Sequence, residues 1–260
     1  MTILEVTNLT KRFGGLVALN DVSFSIDDGS IFGLVGPNGS GKSVLFNTIA
    51  GFYKNDGGEV VFKGERITNK PAHIIASHGL GRSFQGSRTF SSLTVKENVR
   101  VGQHTRYKQA IHQRVINKKR GREHSSSAAN DVEEILDLLG LSALSDITVK
   151  ELNHVTRSLV GIAVALAIRP RLLLLDEPIA GMNPTEATAA IEIIQKIAER
   201  GVTIFMVEHH MKAVMNVCGR IMVLNHGEKI AEGTPWEISR NDEVVEAYLG
   251  RGFRAASSEA

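Results

Sequence analysis

Cysteine is nearly missing from this chain. Cys218 stands alone among 260 residues, which excludes an internal disulfide and a thiolate metal cluster and fits a reducing compartment. Its setting, V-M-N-V-C-G-R, is that of a small buried apolar thiol rather than a nucleophile. Long apolar runs are missing as well. No stretch approaches the roughly 18 to 20 apolar residues of a membrane-spanning helix, so a membrane role has to be peripheral. The opening M-T-I-L-E-V-T-N-L-T-K-R carries charges where a signal peptide needs an apolar run, and export is not expected. Charge of one sign is scarce too: 30 Lys and Arg against 28 Asp and Glu leave a net +2, which points to no polyanionic partner. There is no internal repeat. What remains is ordinary for a soluble globular protein, 42% hydrophobic and 22% charged. The length suits one large α/β domain or a core carrying an inserted subdomain.

Apolar and polar residues alternate over Ile3–Leu9 and Val22–Ile26, which predicts two half-buried strands, with Lys11 to Gly15 as the turn between them. Phe13 in that turn fits two uses, stacking on a purine or packing into the fold. Ser30–Val35 reads as a short apolar strand and Val44–Ile49 as the start of a helix. The segment from Gly51 to Gly58 closes that helix, and Glu59–Phe62 with Arg66 and Ile67 adds one more strand and its exit.

The texture changes from about Gly86. Thr94-Val95-Lys96-Glu97 is a capping box that starts a helix at Val95. Arg106 to Glu123 holds seven Lys or Arg against one acid with little apolar periodicity, and is expected to be a solvated, mobile connection. Val132, Ile135, Leu136 and Leu139 share a helix face that Gly140 terminates. Ser158–Ile168 is almost uncharged and predicts a buried helix stopped by Pro170. Four consecutive leucines at Leu172–Leu175 mark a strand covered on both faces. Asn183-Pro184-Thr185-Glu186 opens another helix. Val202–Val207 and Arg220–Leu224 are further buried strands, with a small hairpin around Gly227. Thr234-Pro235-Trp236-Glu237 caps a last helix in which Trp236 is a packing residue, and the tail from Arg251 is expected to be disordered.

Between the strand ending at Val35 and the following helix lies Gly36-Pro37-Asn38-Gly39-Ser40-Gly41-Lys42-Ser43, with Val44 next. This is G-x-x-x-x-G-K-[ST], in which successive backbone N–H groups wrap nucleotide phosphates, the lysine reaches the β and γ oxygens and the serine hydroxyl ligates Mg²⁺. Glycines let the backbone approach the anion, and the helix points its positive end at the charge. Across the chain, the leucine strand delivers Asp176 and Glu177. In a phosphate-loop protein such a pair supplies a carboxylate to the Mg²⁺ shell and a second one to deprotonate the attacking water. No N-K-x-D guanine reader is present: Asn69-Lys70 is followed by Pro and Ala.

These motifs, with K-R-F-G-G at 11–15, R-S-F-Q at 82–85, L-L-L-L-D-E-P at 172–178, A-G-M-N-P at 180–184, V-E-H-H-M-K at 207–212 and A-E-G-T-P at 231–235, give the chain a resemblance that covers nearly its whole length. It resembles an ABC transporter ATP-binding subunit, of the type that serves branched-chain amino acid uptake in bacteria. E-V-V-E-A-Y-L-G at 243–250 is the piece most particular to that type. The resemblance implies a RecA-like α/β ATPase core over 1–85 and 168–250, with an inserted α-helical subdomain over 86–167 and a tail over 251–260. It implies that Phe13 stacks on adenine, that Gln85 joins the Mg²⁺ and water shell with Ser43 and Asp176, and that His209 contacts the γ-phosphate beside Glu177 and Lys42. His210 stands where relatives usually carry Asp and receives no role. Implied partners are membrane permease subunits, docked near Gly86–Val95, a second ATPase subunit and, indirectly, a periplasmic binding protein, at the cytoplasmic face of the cell membrane, with no nucleic acid. Two other readings belong beside it: an ATP-binding regulatory subunit with little turnover, and a soluble ABC ATPase whose foothold would be the basic 106–122 segment.

One departure stands out. The signature L-S-G-G-Q is replaced by Leu152-Asn153-His154-Val155-Thr156. In the resembled family each signature completes the ATP site of the other subunit. Asn153 keeps a hydrogen-bonding side chain, whereas Val155 puts a β-branched residue where glycine permits close approach and positive φ. Gly161 and Val164 also replace residues that tend to be Glu and Arg. The expectation is a heterodimer with one competent and one weak ATP site.

Overall fold

The computed structural model describes residues 1–83, 89–114 and 121–249. The chain divides into two units, Met1–Ala72 with Thr203–Ala260, and His73–Val202.

In the first unit β1 (Thr2–Phe13) and β2 (Leu16–Asp27) form an antiparallel hairpin. Both strands outrun their sequence signal. Lys11 to Phe13, expected in the turn, remain in the ladder, and Gly14-Gly15 alone make the reversal. Register shifts between Val6 and Arg12 interrupt the two-residue period, so alternation fades while pairing continues. Next come β3 (Ile31–Val35), α1 (Lys42–Ile49), β4 (Gly57–Phe62) and β5 (Glu65–Arg66). One sheet has the order β2-β1-β4-β5. In the other, β3 runs parallel to both β8 (Thr203–Val207) and β9 (Arg220–Asn225), and β10 (Glu228–Gly233) is antiparallel to β9.

Every residue of β8 is buried, as in a strand covered on both faces, and its one polar member, Thr203, accepts the Gly29 N–H at 2.8 Å. Four of the ten phenylalanines, Phe24, Phe32, Phe46 and Phe205, meet between β2, β3, α1 and β8 with ring centroids 4.7 to 5.8 Å apart. Such ring pairs add roughly 0.5 to 1.5 kcal/mol each beyond area burial. Phe205 of β8 touches both Phe46 of α1 and Phe32 of β3, and so links the two elements that flank the phosphate loop.

After β8 come α7 (Met211–Val217), then α8 (Pro235–Ser239) and α9 (Asp242–Leu249). Thr234 and Glu237 make the anticipated capping box on α8, but α8 is not the last helix. Trp236 is not a packing residue either. It is 64% exposed, with the Arg240 guanidinium 4.5 Å over its ring; one turn of helix puts position 236 on the outer face, where the cation covers it.

The second unit opens with α2 (Ala72–Ser77), followed by β6 (Leu80–Arg82), α3 (Val95–Arg114), α4 (Gly121–Leu138), α5 (His154–Leu166), β7 (Leu172–Asp176) and α6 (Pro184–Glu199). β6 and β7 pair in parallel, and all of β7 is buried. The capping boxes at Thr94–Glu97 and Asn183–Glu186 form as their spacing predicts. Where α3 meets α5, a Cβ on Gly102 would lie 2.4 Å from the Val164 carbonyl oxygen, so only glycine allows that contact.

Residues 106–114 and 121–123, read from sequence as a loose connection, are helical at the ends of α3 and α4. Lys, Arg, Gln and Ala are good helix formers, and propensity sustains a helix without an apolar face to announce it. α5 begins at His154, four residues before its apolar stretch, because Asn153 caps it by accepting the Thr156 N–H at 2.8 Å. Val155 therefore has right-handed helical backbone and no positive φ is asked of it. The φ preference of valine is satisfied there. The tail from Arg251 lies outside the described residues. No described helix is long and apolar enough to cross a membrane.

Candidate nucleotide site

The side chains that the motifs single out fall into two sets, one in each unit. In the first unit the loop Gly36–Ser43 leaves the buried end of β3 and enters α1. Gly36, Gly39 and Gly41 adopt φ of 155°, 81° and 105°. A Cβ on Gly36 would lie 2.1 Å from the Leu224 carbonyl oxygen of β9 and 2.7 Å from Ser40 Oγ. The loop thus turns hard against the neighbouring strand, and only glycine can make the turn. Gly41 caps α1 without a side chain, so the first amides of the helix point outward.

Lys42 is buried at 7% exposure, its ammonium donating to the carbonyls of Gly36 at 2.7 Å and Pro37 at 2.9 Å. These bonds span the loop from inside. Ser40 Oγ is also buried and has no hydrogen-bond partner among the described residues. Ser43 and Asn38 are exposed, and Val44 and Pro37 half-buried. Glycine-shaped backbone, outward amides, a centred ammonium and an unsatisfied buried hydroxyl form a donor-rich cradle that fits a polyphosphate.

Phe13, at the end of β1, is 43% exposed. Its ring meets Tyr53 edge-on at 5.3 Å, and Lys11 Nζ lies 5.0 Å from its centroid. It is thus a surface platform rather than a core residue. His209, just past β8, is exposed and its ring lies 4.2 Å from that of His210.

A cavity of about 420 Å³ adjoins the loop between Asn38 to Ser40 and α9, which contributes Glu243 and Glu246. Two carboxylates on one wall repel a triphosphate, so this cavity is the flank of the loop, not its anion side. Near it, burial pushes the Tyr248 hydroxyl up to about 12, against a Gly36 backbone hydrogen bond that acts the other way. The helix carrying the E-V-V-E-A-Y-L-G piece is therefore tied to the first residue of the phosphate loop. Tyr248 lies in the E-V-V-E-A-Y-L-G piece, but its place beside the loop carries no signal in the sequence.

In the second unit Asp176 ends β7, buried, with Arg82 Nη2 of β6 3.1 Å from its Oδ2. Arg82 opens R-S-F-Q, and its partnership with Asp176 was not read from sequence; the register of β6 on β7 creates it. Glu177 follows with φ 50°. A non-glycine residue in the left-handed region costs about 1 kcal/mol, and such strain collects at functional positions. Here it turns the backbone out of β7 directly after Asp176. For Mg²⁺, the Ser43 hydroxyl and the Asp176 carboxylate are hard oxygen donors of the type that ion takes. Gln85, the third residue expected there, lies outside the described residues. Cys218 is inert as anticipated: burial, and after it the charge of Glu208, push its thiol up to about 12.

The chain matches the ABC transporter family over residues 19–180 and the branched-chain amino acid ATP-binding cassette transporter family over residues 228–254. It is 38% identical over 253 residues to the high-affinity branched-chain amino acid transport ATP-binding protein BraF of Pseudomonas aeruginosa, covering 95% of this chain and 98% of that protein. It is 36% identical over 249 residues to LivG of Escherichia coli, of the same description, with 95% and 98% covered. Among solved structures, a nucleotide-free ATP-binding cassette from an ABC transporter superposes with a TM-score of 0.84 at 33% identity, over 96% of this chain and 100% of that one. The ADP conformation of an ATP-binding cassette of an ABC transporter does so at 0.83 and 32%, with the same coverage. Cradle, strand-end carboxylates and these likenesses lead to one conclusion: the chain belongs to the ABC transporter family, as an ATP-binding cassette with the carboxy-terminal segment of its branched-chain amino acid branch.

Proposed function

We propose that this cassette hydrolyses ATP to drive uptake of branched-chain or related hydrophobic amino acids, at the cytoplasmic face of the cell membrane. The observation that carries the reading is the carboxy-terminal segment 228–254, which matches that branch and whose α9 reaches the phosphate loop through Tyr248. The relatives' names support the substrate class.

In this reading Phe13 stacks on adenine, and backbone donors from Gly36 to Ser43 wrap the phosphates with Lys42 on the β and γ oxygens. Ser43, Asp176 and Gln85 would hold Mg²⁺, which would supply charge neutralisation to the phosphate oxygens. Glu177 takes the proton of the attacking water, and His209 orients the γ-phosphate. Membrane permease subunits are the partners, docked on the segment 86–95, with the exposed Phe90 as its apolar anchor. A periplasmic binding protein acts on them indirectly.

The partner cassette is a different chain. Val155 stands at the amino-terminal turn of α5, where a signature needs backbone donors close to phosphate, and Asn153 is already occupied capping the helix. This chain uses a partner's signature well and returns a poor one. The same observation favours a second reading, a regulatory cassette with little turnover of its own. ATPase rate separates them, measured for the chain alone and mixed with a signature-intact cassette and permeases. The motor reading expects slow turnover alone and a rise of at least about tenfold on mixing, since one preorganised donor is worth about 10²- to 10³-fold. Brisk turnover alone would sink the heterodimer, and no rise on mixing would favour regulation.

A further inference from the structure

We infer that Glu208, His209 and His210 form a transition-metal site of the Zn²⁺ class, which when filled withdraws His209 from ATP turnover. The second clause rests on the reading of His209 given above; the site itself does not.

Glu208 is the first residue past β8, held by its backbone N–H on the Leu34 carbonyl of β3 at 3.2 Å. Its carboxylate is fully buried, while the next two side chains are exposed imidazoles. One ligand atom from each of the three lies within 4.8 Å of the others, and among the described residues no other such group is so close. Glu208 Oε2 and His210 Nδ1 are already 3.5 Å apart. Tetrahedral zinc with bonds of about 2.0 to 2.1 Å holds its ligand atoms about 3.4 Å from one another, so this pair is at coordination spacing. The two exposed rings, 4.2 Å apart, need only turn to complete the set.

Two imidazole nitrogens and one carboxylate suit zinc, and also cobalt or nickel. They do not suit Mg²⁺, which takes oxygen and water. A buried carboxylate gains from a dication beside it. Three protein ligands leave a fourth position to water, as in open zinc sites. Cys218 is buried and is not among the ligand atoms that converge here. A metal on one nitrogen of His209 fixes the orientation of the ring, and with it the direction in which the other nitrogen can donate its N–H to a phosphate oxygen.

Calorimetric titration of the nucleotide-free full chain with Zn²⁺, in excess Mg²⁺, tests the site. One equivalent is expected to bind, with zinc-edge absorption reading nitrogen and oxygen neighbours and no sulfur. His210→Asn is expected to weaken binding by at least about tenfold, the cost of losing even an outer-sphere partner. Glu208→Gln should do the same, and His73→Gln, in the other unit, should leave it unchanged. Equal affinity in His210→Asn, or sulfur in the shell, overturns the site. Loss of ATPase on adding Zn²⁺, restored by chelator, upholds the consequence for turnover; zinc bound with full ATPase keeps the site and overturns the role of His209.

Discussion

At the scale of single residues, two positions show the fold committing its strain and its space to chemistry. Glu177 sits at φ 50°, a conformation its side chain does not favour, immediately after a strand whose burial gives it no freedom to relax. Replacing Glu177 by Gln preserves shape and removes the proposed base. ATPase activity is expected to fall by about 10²- to 10⁴-fold with ATP binding retained, read by turnover and by nucleotide-induced thermal shift. Transport would fall with it in a motor and survive in a regulatory cassette. Gly36 is the second. An added methyl would meet the Leu224 carbonyl oxygen at 2.1 Å, so Gly36→Ala displaces the loop from β9. Loss of the ATP-induced thermal shift is the expected outcome, and an unchanged shift would show the loop yields without harm. Both residues were legible in the sequence as members of motifs. The reasons they are irreplaceable were not, because one is a dihedral and the other a distance to a strand nearly two hundred residues along the chain.

At the scale of elements, helix ends were read well and helix extents poorly. Thr94, Asn183 and Thr234 announced their capping boxes through a four-residue pattern, and a local hydrogen bond is all that such a pattern requires. Asn153 carried no such pattern. It caps α5 with a single bond to the Thr156 N–H, and the polar first turn that follows looks like loop until the apolar face behind it is seen packed. Removing it by Asn153→Ala is expected to cost about 1 kcal/mol, measured by urea denaturation. A loss well below that would mean α5 is held by packing alone. The basic ends of α3 and α4 went unread for the opposite reason: with no apolar stripe, periodicity has nothing to report.

At the scale of the whole molecule, the weak signature becomes a statement about assembly. In the proposed function, a cassette with its own phosphate loop and strand-end carboxylates, and with Val155 at the head of α5, is a better receiver than giver of donors. Restoring the family pattern tests this directly. Asn153→Ser with Val155→Gly should raise the ATPase rate of the chain alone by about tenfold or more, if pairing with itself is then productive. An unchanged rate would place the defect elsewhere, in the depleted charges at Gly161 and Val164.

The sequence by itself determined the phosphate loop, the leucine strand with its two acids, the family and the position of the broken signature, because each is a contiguous string whose meaning needs only local geometry and residue chemistry. Tertiary structure alone decided that Arg82 answers Asp176, that Tyr248 ties α9 to Gly36, that Trp236 faces outward, and that Glu208, His209 and His210 converge within ligand distance. Strand register, helix phase and burial set those relations, and none of the three is written in any one stretch of chain.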